Sequence, residues 1–210
     1  MATASRTPTE RPPRLIVGIS GASGAVYGVR LLDLLRPLPV ETHLVMSRTA
    51  EVTLAYETDY KVAQVKQKAD VVHKIDDLGA SLSSGSYPTL GMIVAPCSVR
   101  CMSEIATGLC GNLLTRAADV VLKEQRKLVL MVRETPLHAI HLANMTRLAE
   151  LGVIIAPPVP AFYARPESLD EMVDHTLGRV LDLFNLEAGT VSRWGEATPK
   201  GRGRRVRAKR

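Results

Sequence analysis

The segment Arg14-Leu-Ile-Val-Gly-Ile-Ser-Gly-Ala-Ser-Gly-Ala-Val-Tyr-Gly28 sets two serines and closely spaced glycines between an apolar run and a stretch of helical periodicity. It reads as a buried strand, a tight turn and a helix N-terminus. At such a junction backbone N–H groups and the positive end of the helix dipole converge, and glycine lets an anion approach the backbone. The chemistry to expect is phosphate binding. No lysine follows Gly24, so the turn is not a nucleoside triphosphate loop, and the spacing of Gly18, Gly21 and Gly24 is not GxGxxG. A dinucleotide fold would also place a carboxylate about twenty residues on. Here the next apolar run, Thr42–Met46, ends in Ser47-Arg48. A hydroxyl and a cation there suit a mononucleotide phosphate or a flavin edge. Close helix-on-strand packing through the same glycines is the alternative that the turn by itself leaves open.

Further candidates follow other apolar runs. Behind the first strand, strands are predicted at Thr42–Met46, Gly91–Ala95, Leu128–Val132 and Val153–Ala156. Helices are predicted near Gly24–Leu35, Ser47–Tyr56, Ser98–Thr107, Asn112–Gln125, Leu137–Leu151 and Ser168–Leu186. This alternation argues for an α/β fold of Rossmann-like, flavodoxin-like type, a doubly wound parallel sheet in a single domain spanning 14–194. In such a sheet functional residues gather past the carboxyl ends of the strands. Those positions hold Ser20-Gly-Ala-Ser23, Ser47, Pro96-Cys-Ser98, Arg133-Glu134 and the turn Pro157–Tyr163. Loops are polar in any case. Arg133-Glu134 directly after Leu128–Val132 is harder to dismiss, because charges at a buried edge must be paired or functional.

Composition narrows the partners. The chain has 210 residues, 46% of them hydrophobic, enough for one sizeable core, and only 4% aromatic. Interleaved basic and aromatic residues for single-stranded nucleic acid are therefore not in evidence. The formal charge of +6 resides in residues 195–210, where seven basic residues face Glu196 alone. The remainder balances 20 basic against 20 acidic residues. The tail and residues 1–13 read as disordered, and no specific nucleic-acid partner is expected. No secretory signal and no run of about 18 apolar residues is present, so no membrane partner is expected. Cys97, Cys101 and Cys110 match no zinc spacing and suit a reducing cytoplasm.

The strings GISGASGAVYG, ETHLVMS, YETD, SSGS, PCS, TRAADVVLKEQRKLVLMVRETPLHAIHLANM, PPVPAFYARPES and RWGE, in this order from about Arg14 to Glu196, resemble the UbiX-type flavin prenyltransferases. That family is also known as the small subunit of phenolic-acid decarboxylase systems. The resemblance implies an enzyme that joins the dimethylallyl group of dimethylallyl monophosphate to N5 and C6 of reduced FMN, releasing phosphate. It implies that prenylated FMN is handed to a UbiD-type decarboxylase, and that the protein assembles as a homododecamer. Other prenyltransferases hold diphosphate through magnesium on an Asp-rich motif, whereas this chain has only Asp76-Asp77. A metal-free clamp of Arg116, Lys123, Arg133 and Arg179 with Ser84 and Tyr163 is implied instead.

Carried over by position, Gly21, Ala22 and Ser23 would hold the FMN phosphate region, with Ser23 close to the reacting atoms. Ser47, the turn Ser98-Val99-Arg100-Cys101 and Arg133 would complete the flavin site. Tyr163 and Arg179 match dimethylallyl phosphate ligands, joined by Lys123, Arg116 and Ser84, some of them from a neighbouring subunit. Glu134 would take the proton lost from flavin C6. Glu57 would orient the clamp, Lys123 would act in catalysis, and Trp194 would cover the pocket. Cys101 stands where the family commonly has threonine, and the weaker thiol donor predicts a lost flavin contact.

The same residues have ordinary readings. Arg116 and Lys123 could pair with Asp119 or Glu124, Glu57 could cap a helix, Glu134 could be a first-turn acid, and Tyr163 could pack on its proline turn. Arg179 could be an ordinary surface cation. His138 and His141 are three apart without a third ligand, so no metal site is expected. Flavin-dependent cysteine decarboxylases share the expected fold but are marked by a catalytic histidine, which Ser81–Ser86 lacks. A flavin carrier without chemistry remains the reading outside enzymes.

Overall fold

Strand β1 (Arg14–Ile19) lies at the centre of the sheet because every residue after Arg14 is buried, so both faces must be covered. The computed structural model describes residues 12–195. The chain continues through α1 (Ala25–Leu35), β2 (Glu41–Met46), α2 (Arg48–Glu57), α3 (Val62–Lys66) and β3 (Val71–His73). It then forms β4 (Gly91–Cys97), α4 (Val99–Ala106), α5 (Leu113–Lys123), β5 (Lys127–Val132), α6 (Ala139–Glu150), β6 (Ile154–Ile155) and α7 (Leu169–Asp182). The six strands are all parallel, in the order β3-β2-β1-β4-β5-β6. The five predicted strands are all present and lie as 2-1-4-5-6, the flavodoxin-like order with β3 added outside β2.

Alternate side chains build two cores. Leu15, Val17, Ile19, Leu44, Ile93 and Val129 face α1, α2 and α7, whereas Ile16, Val45, Met92, Val94, Leu128 and Leu130 face α4, α5 and α6. Gly28 lets α1 lie directly on β4, since a Cβ there would stand 2.6 Å from the Ala95 carbonyl oxygen. For Gly28 the packing explanation is therefore the operative one. Gly24 precedes α1 with φ of 97°, a left-handed conformation that favours glycine.

The sequence reading missed α3 and β3. Three residues are too few to display a period, and β3 is tied to β2 by side chains rather than by an apolar pattern. His43 Nδ1 lies 2.9 Å from His73 Nε2, and Asp70 accepts from the Thr42 amide at 2.7 Å and from its hydroxyl at 2.8 Å. Helix α6 begins at Ala139 and α7 ends at Asp182, inside the predicted limits. Residues 1–11 and 196–210, which hold all but residues 12, 13 and 195 of the segments predicted to be disordered (1–13 and 195–210), lie outside the described residues.

Candidate active site

The order of strands reverses between β1 and β4, and the loops that follow them meet there. Ser20 holds the two together: its hydroxyl donates to the Pro96 carbonyl at 2.9 Å and accepts from the Ser98 amide at 2.7 Å. At 3% exposure it is part of the core, a tie that sequence reading recorded only as a loop serine. The N-termini of α1, α2 and α4 all open at this end of the sheet, through Gly24, Ser47 and Ser98.

The first of these ends already has an internal partner. The N-terminus of α1, expected to cradle phosphate, holds the chain's own Glu57: its Oε2 accepts from the amides of Gly24 at 2.8 Å and Ala25 at 2.9 Å. A carboxylate satisfies the same orphan donors and dipole that a phosphate would. Burial works against the charge on Glu57, but the Ser23 hydroxyl, the two amides and the nearby Arg133 outweigh it and hold the carboxyl below its ordinary range. The structure thus brings Ser23, Glu57 and Arg133 together. Glu57 is the last residue of α2, yet the helix it caps is α1.

The end of α2 offers the better phosphate cradle. Ser47 caps it by accepting from the Ala50 amide at 3.0 Å, and its hydroxyl lies 3.0 Å from that of Thr49. Gly21 packs against this turn so closely that a Cβ would fall 2.4 Å from Thr49. Two hydroxyls, first-turn amides and a bare glycine therefore face one another, a donor set that fits a phosphate monoester. Thr49 was not singled out from the sequence, although Ser-x-Thr at a strand end was there to be read. Ala22 lies in the same β1–α1 turn, its amide bonded back to the Ser20 carbonyl at 2.9 Å.

At α4, Ser98 accepts from the Cys101 amide at 3.2 Å, with Val99 and Arg100 in the first turn. Arg100 reaches outward to Glu104 at 2.9 Å. Cys101 departs from expectation: its side chain is 6% exposed and belongs to the core with Met102 and Ile105. It faces Cys97, whose thiol is held well above its ordinary range by the hydrogen bond with Cys101 and by burial. The third helical position points inward here, so the Cys101 thiol sits in an apolar neighbourhood.

Past β5, the Arg133 amide donates to the Cys97 carbonyl at 3.0 Å, fixing Arg133-Glu134 beside the β4 loop. Glu134 is exposed and accepts from the Thr135 amide at 3.0 Å. It is not a first-turn acid, because α6 begins only after His138, which caps it. His138 and His141 stack with ring centres 3.5 Å apart, and among the described residues no cluster of three or more metal-ligating side chains occurs.

Apart from Arg133, which follows β5, the expected clamp separates into two groups on opposite faces of the sheet. Arg116, on α5, bonds Asp119 at 2.7 Å and the Ser83 carbonyl at 3.1 Å. Lys123 contacts Glu124, and a Cβ at Gly85 would fall 2.6 Å from its Nζ, so it lies over the Ser84-Gly85 turn. Tyr163 and Arg179 instead line a cavity of about 270 Å³ with Ala156, Val159, His175 and Thr176. Arg179 bonds Asp182 at 2.6 Å. Trp194, 85% exposed, meets the Tyr163 ring edge to face at 5.7 Å.

The family model for Flavoprotein matches residues 3–181. Flavin prenyltransferase UbiX of Escherichia coli (strain K12) is 58% identical over 184 residues, covering 86% of this chain and 97% of that protein. The chain belongs to the UbiX family of flavin prenyltransferases. The UbiX of Thauera aromatica is 53% identical over 181 residues, covering 86% of this chain and 93% of the relative. Among solved structures, the complex of AnUbiX with FMN and dimethylallyl pyrophosphate superposes with a TM-score of 0.87 and 49% identity, covering 90% of this chain and all of that one. The dodecameric FMN-dependent UbiX-like decarboxylase of Escherichia coli O157:H7 follows at 0.85 and 52%, covering 87% of this chain and all of that one. A cysteine decarboxylase of thioviridamide biosynthesis, at 17% identity and a TM-score of 0.57, shares the fold alone. Among the described residues no helix is long and apolar enough to cross a membrane.

Proposed function

We propose that this chain transfers the dimethylallyl group of dimethylallyl monophosphate to N5 and C6 of reduced FMN and releases inorganic phosphate. The observation that carries this reading is that Glu57 closes the α1 N-terminus beside Ser23 and under the charge of Arg133, in a chain of the UbiX family. Ser47, Thr49 and the first-turn amides of α2 bind the flavin phosphate. The Ser98–Arg100 turn and Arg133 border the ring system. Flavin, when bound, supplies the nucleophilic nitrogen and ring carbon.

The allylic C–O bond breaks with its electron pair passing to phosphate, so cations must stand where that charge collects. Tyr163 and Arg179 receive the phosphate on one side. Arg116, Lys123 and Ser84 lie on the opposite face of their own chain, so they meet it from neighbouring subunits of a dodecamer. Guanidinium and ammonium groups then do the work of a divalent cation, and the reaction proceeds without added metal. The N5 proton passes to phosphate, which returns a proton to the double bond left in the transferred group; C6 attacks the cationic carbon so formed, and Glu134, exposed at the rim, accepts the C6 proton. Ser23, beside Glu57, carries protons near the reacting atoms, and Trp194 screens the cavity.

The product then passes to a UbiD-type decarboxylase. The reaction belongs in the cytoplasm, where the free thiols of Cys97, Cys101 and Cys110 remain reduced. Anaerobic incubation with reduced FMN and dimethylallyl monophosphate, followed by mass spectrometry, tests the assignment. The expected product is a flavin heavier by one five-carbon unit, formed without added metal. Recovery of unmodified FMN alone would leave a carrier that delivers flavin without chemistry.

A further inference from the structure

Asp182, the last residue of α7, is shared by two arginines. Arg179 Nη1 donates to Oδ2 at 2.6 Å, while Arg193 grips both oxygens, Nη1 to Oδ2 and Nη2 to Oδ1, each at 3.1 Å. The carboxylate is largely buried, its side chain 18% exposed. Arg193 belongs to the segment that returns along α7. There the Thr190 hydroxyl donates to the Asp174 carbonyl at 2.9 Å, and the Ser192 carbonyl lies 3.4 Å from His175 Nε2. Only glycine admits this path, because a Cβ at Gly178 would fall 2.4 Å from the Thr190 hydroxyl and 2.6 Å from Val191. The segment ends at Trp194 on the ring of Tyr163, whose other contact is the edge of His175 at 5.6 Å.

One carboxylate thus links both residues of the cavity that carry phosphate chemistry. For Arg179 to engage a phosphate, its Nη1 must leave Asp182. Were Asp182 its partner alone, that move would strand a largely buried carboxylate and oppose binding. Arg193 already satisfies both oxygens in a fork geometry, so Arg179 can turn away without leaving an orphan charge.

We propose that Asp182 and Arg193 are positioning residues for a phosphate monoester at Arg179. Asp182 holds the Arg179 guanidinium at the cavity, and Arg193 keeps the carboxylate satisfied when phosphate claims Arg179. Because Arg193 precedes Trp194, the same fork holds the segment on α7 and Trp194 against Tyr163 as Arg179 is handed over. Linkage makes the effect reciprocal, so a seated segment favours phosphate at Arg179. The proposal rests on the reading that Arg179 receives the substrate phosphate.

Trp194 is the chain's one tryptophan, so its emission reports the segment directly. Dimethylallyl monophosphate titrated into the full-length protein should change that emission in the wild type. In Arg193→Ala the response should vanish, KM for dimethylallyl monophosphate should rise about tenfold with a smaller change in kcat, and FMN affinity should stay as it was. Arg193→Lys, which keeps the charge but not the fork, should fall between the two. Wild-type KM and emission response in Arg193→Ala would overturn the proposal, as would equal losses of FMN and dimethylallyl phosphate binding. Arg179→Ala tests the reading beneath it: undiminished binding there removes Arg179 from the phosphate site, whereas lost binding there with an unaffected Arg193→Ala leaves that reading standing and defeats the handover alone.

Discussion

Glu57 and Gly24 are joined by a hydrogen bond of 2.8 Å that runs from the start of one helix to the end of another. Through it the chain fills, with its own carboxylate, the helix end best suited to an external anion. Glu57 thereby stands beside the Ser23 hydroxyl instead of in solvent.

Glu57→Gln should therefore affect both stability and turnover. Losing the charge at the α1 N-terminus should cost about 1 kcal/mol in urea unfolding. The carboxyl is held below its ordinary 4.5, so its contribution is present above that value and lost as pH falls through the folded-state value. The glutamine variant should lack this loss. Prenyl transfer should slow more than flavin binding weakens, because the Ser23 hydroxyl loses its charged neighbour.

Ser20→Ala should destabilise the protein by about 1–3 kcal/mol, since the Ser98 amide and the Pro96 carbonyl would each lose a buried partner. The loops after β1 and β4 would then be joined there by the Ser20 amide, 3.2 Å from the Pro96 carbonyl, without the hydroxyl, and FMN affinity should fall with stability. Calorimetric melting together with a flavin titration measures both. A variant as stable as the wild type would show that water replaces the hydroxyl.

Acid should loosen the β3 edge before it reaches the carboxylates. His43, buried in β2, contacts His73 through Nδ1 and Glu41 through Nε2 at 2.8 Å, with Arg14, Tyr87 and Asp77 around the pair. The short His43–His73 contact accommodates a single proton. Burial, and then the charge of His43, lower the His73 pKa from 6.5 against the opposing pull of Asp77. The unfolded chain therefore binds a proton that the fold refuses, and stability falls as pH drops below about 6.5 toward the folded-state value. His73→Gln should flatten the unfolding free energy between about pH 7 and 5. An unaltered slope would mean that His73 takes up its proton in the fold without cost.

Glu134→Gln should let the first bond to flavin N5 form and then stall before the bond to C6, leaving a singly alkylated flavin detectable by mass spectrometry. Wild-type rates would remove Glu134 from the proton transfer.

The sequence alone determined the parallel α/β alternation, five of the six strands and the family. Those depend on local periodicity and on motifs read in one dimension: an apolar run such as Leu128–Val132 must be buried wherever it lies. It also named Ser23, Glu57 and Arg133, without showing that they meet. Tertiary structure decided what periodicity does not encode. Edge strand β3 is held by side-chain bonds between His43 and His73 and between Thr42 and Asp70. Cys101 turns inward because of its position in the first turn of α4. The α1 end is filled by a carboxylate 33 residues away, and the clamp divides because α5 and α7 cover opposite faces of one sheet. Hydrogen bonds and charge pairs act over a few ångströms between atoms far apart in the chain, so only the folded arrangement can assign their partners.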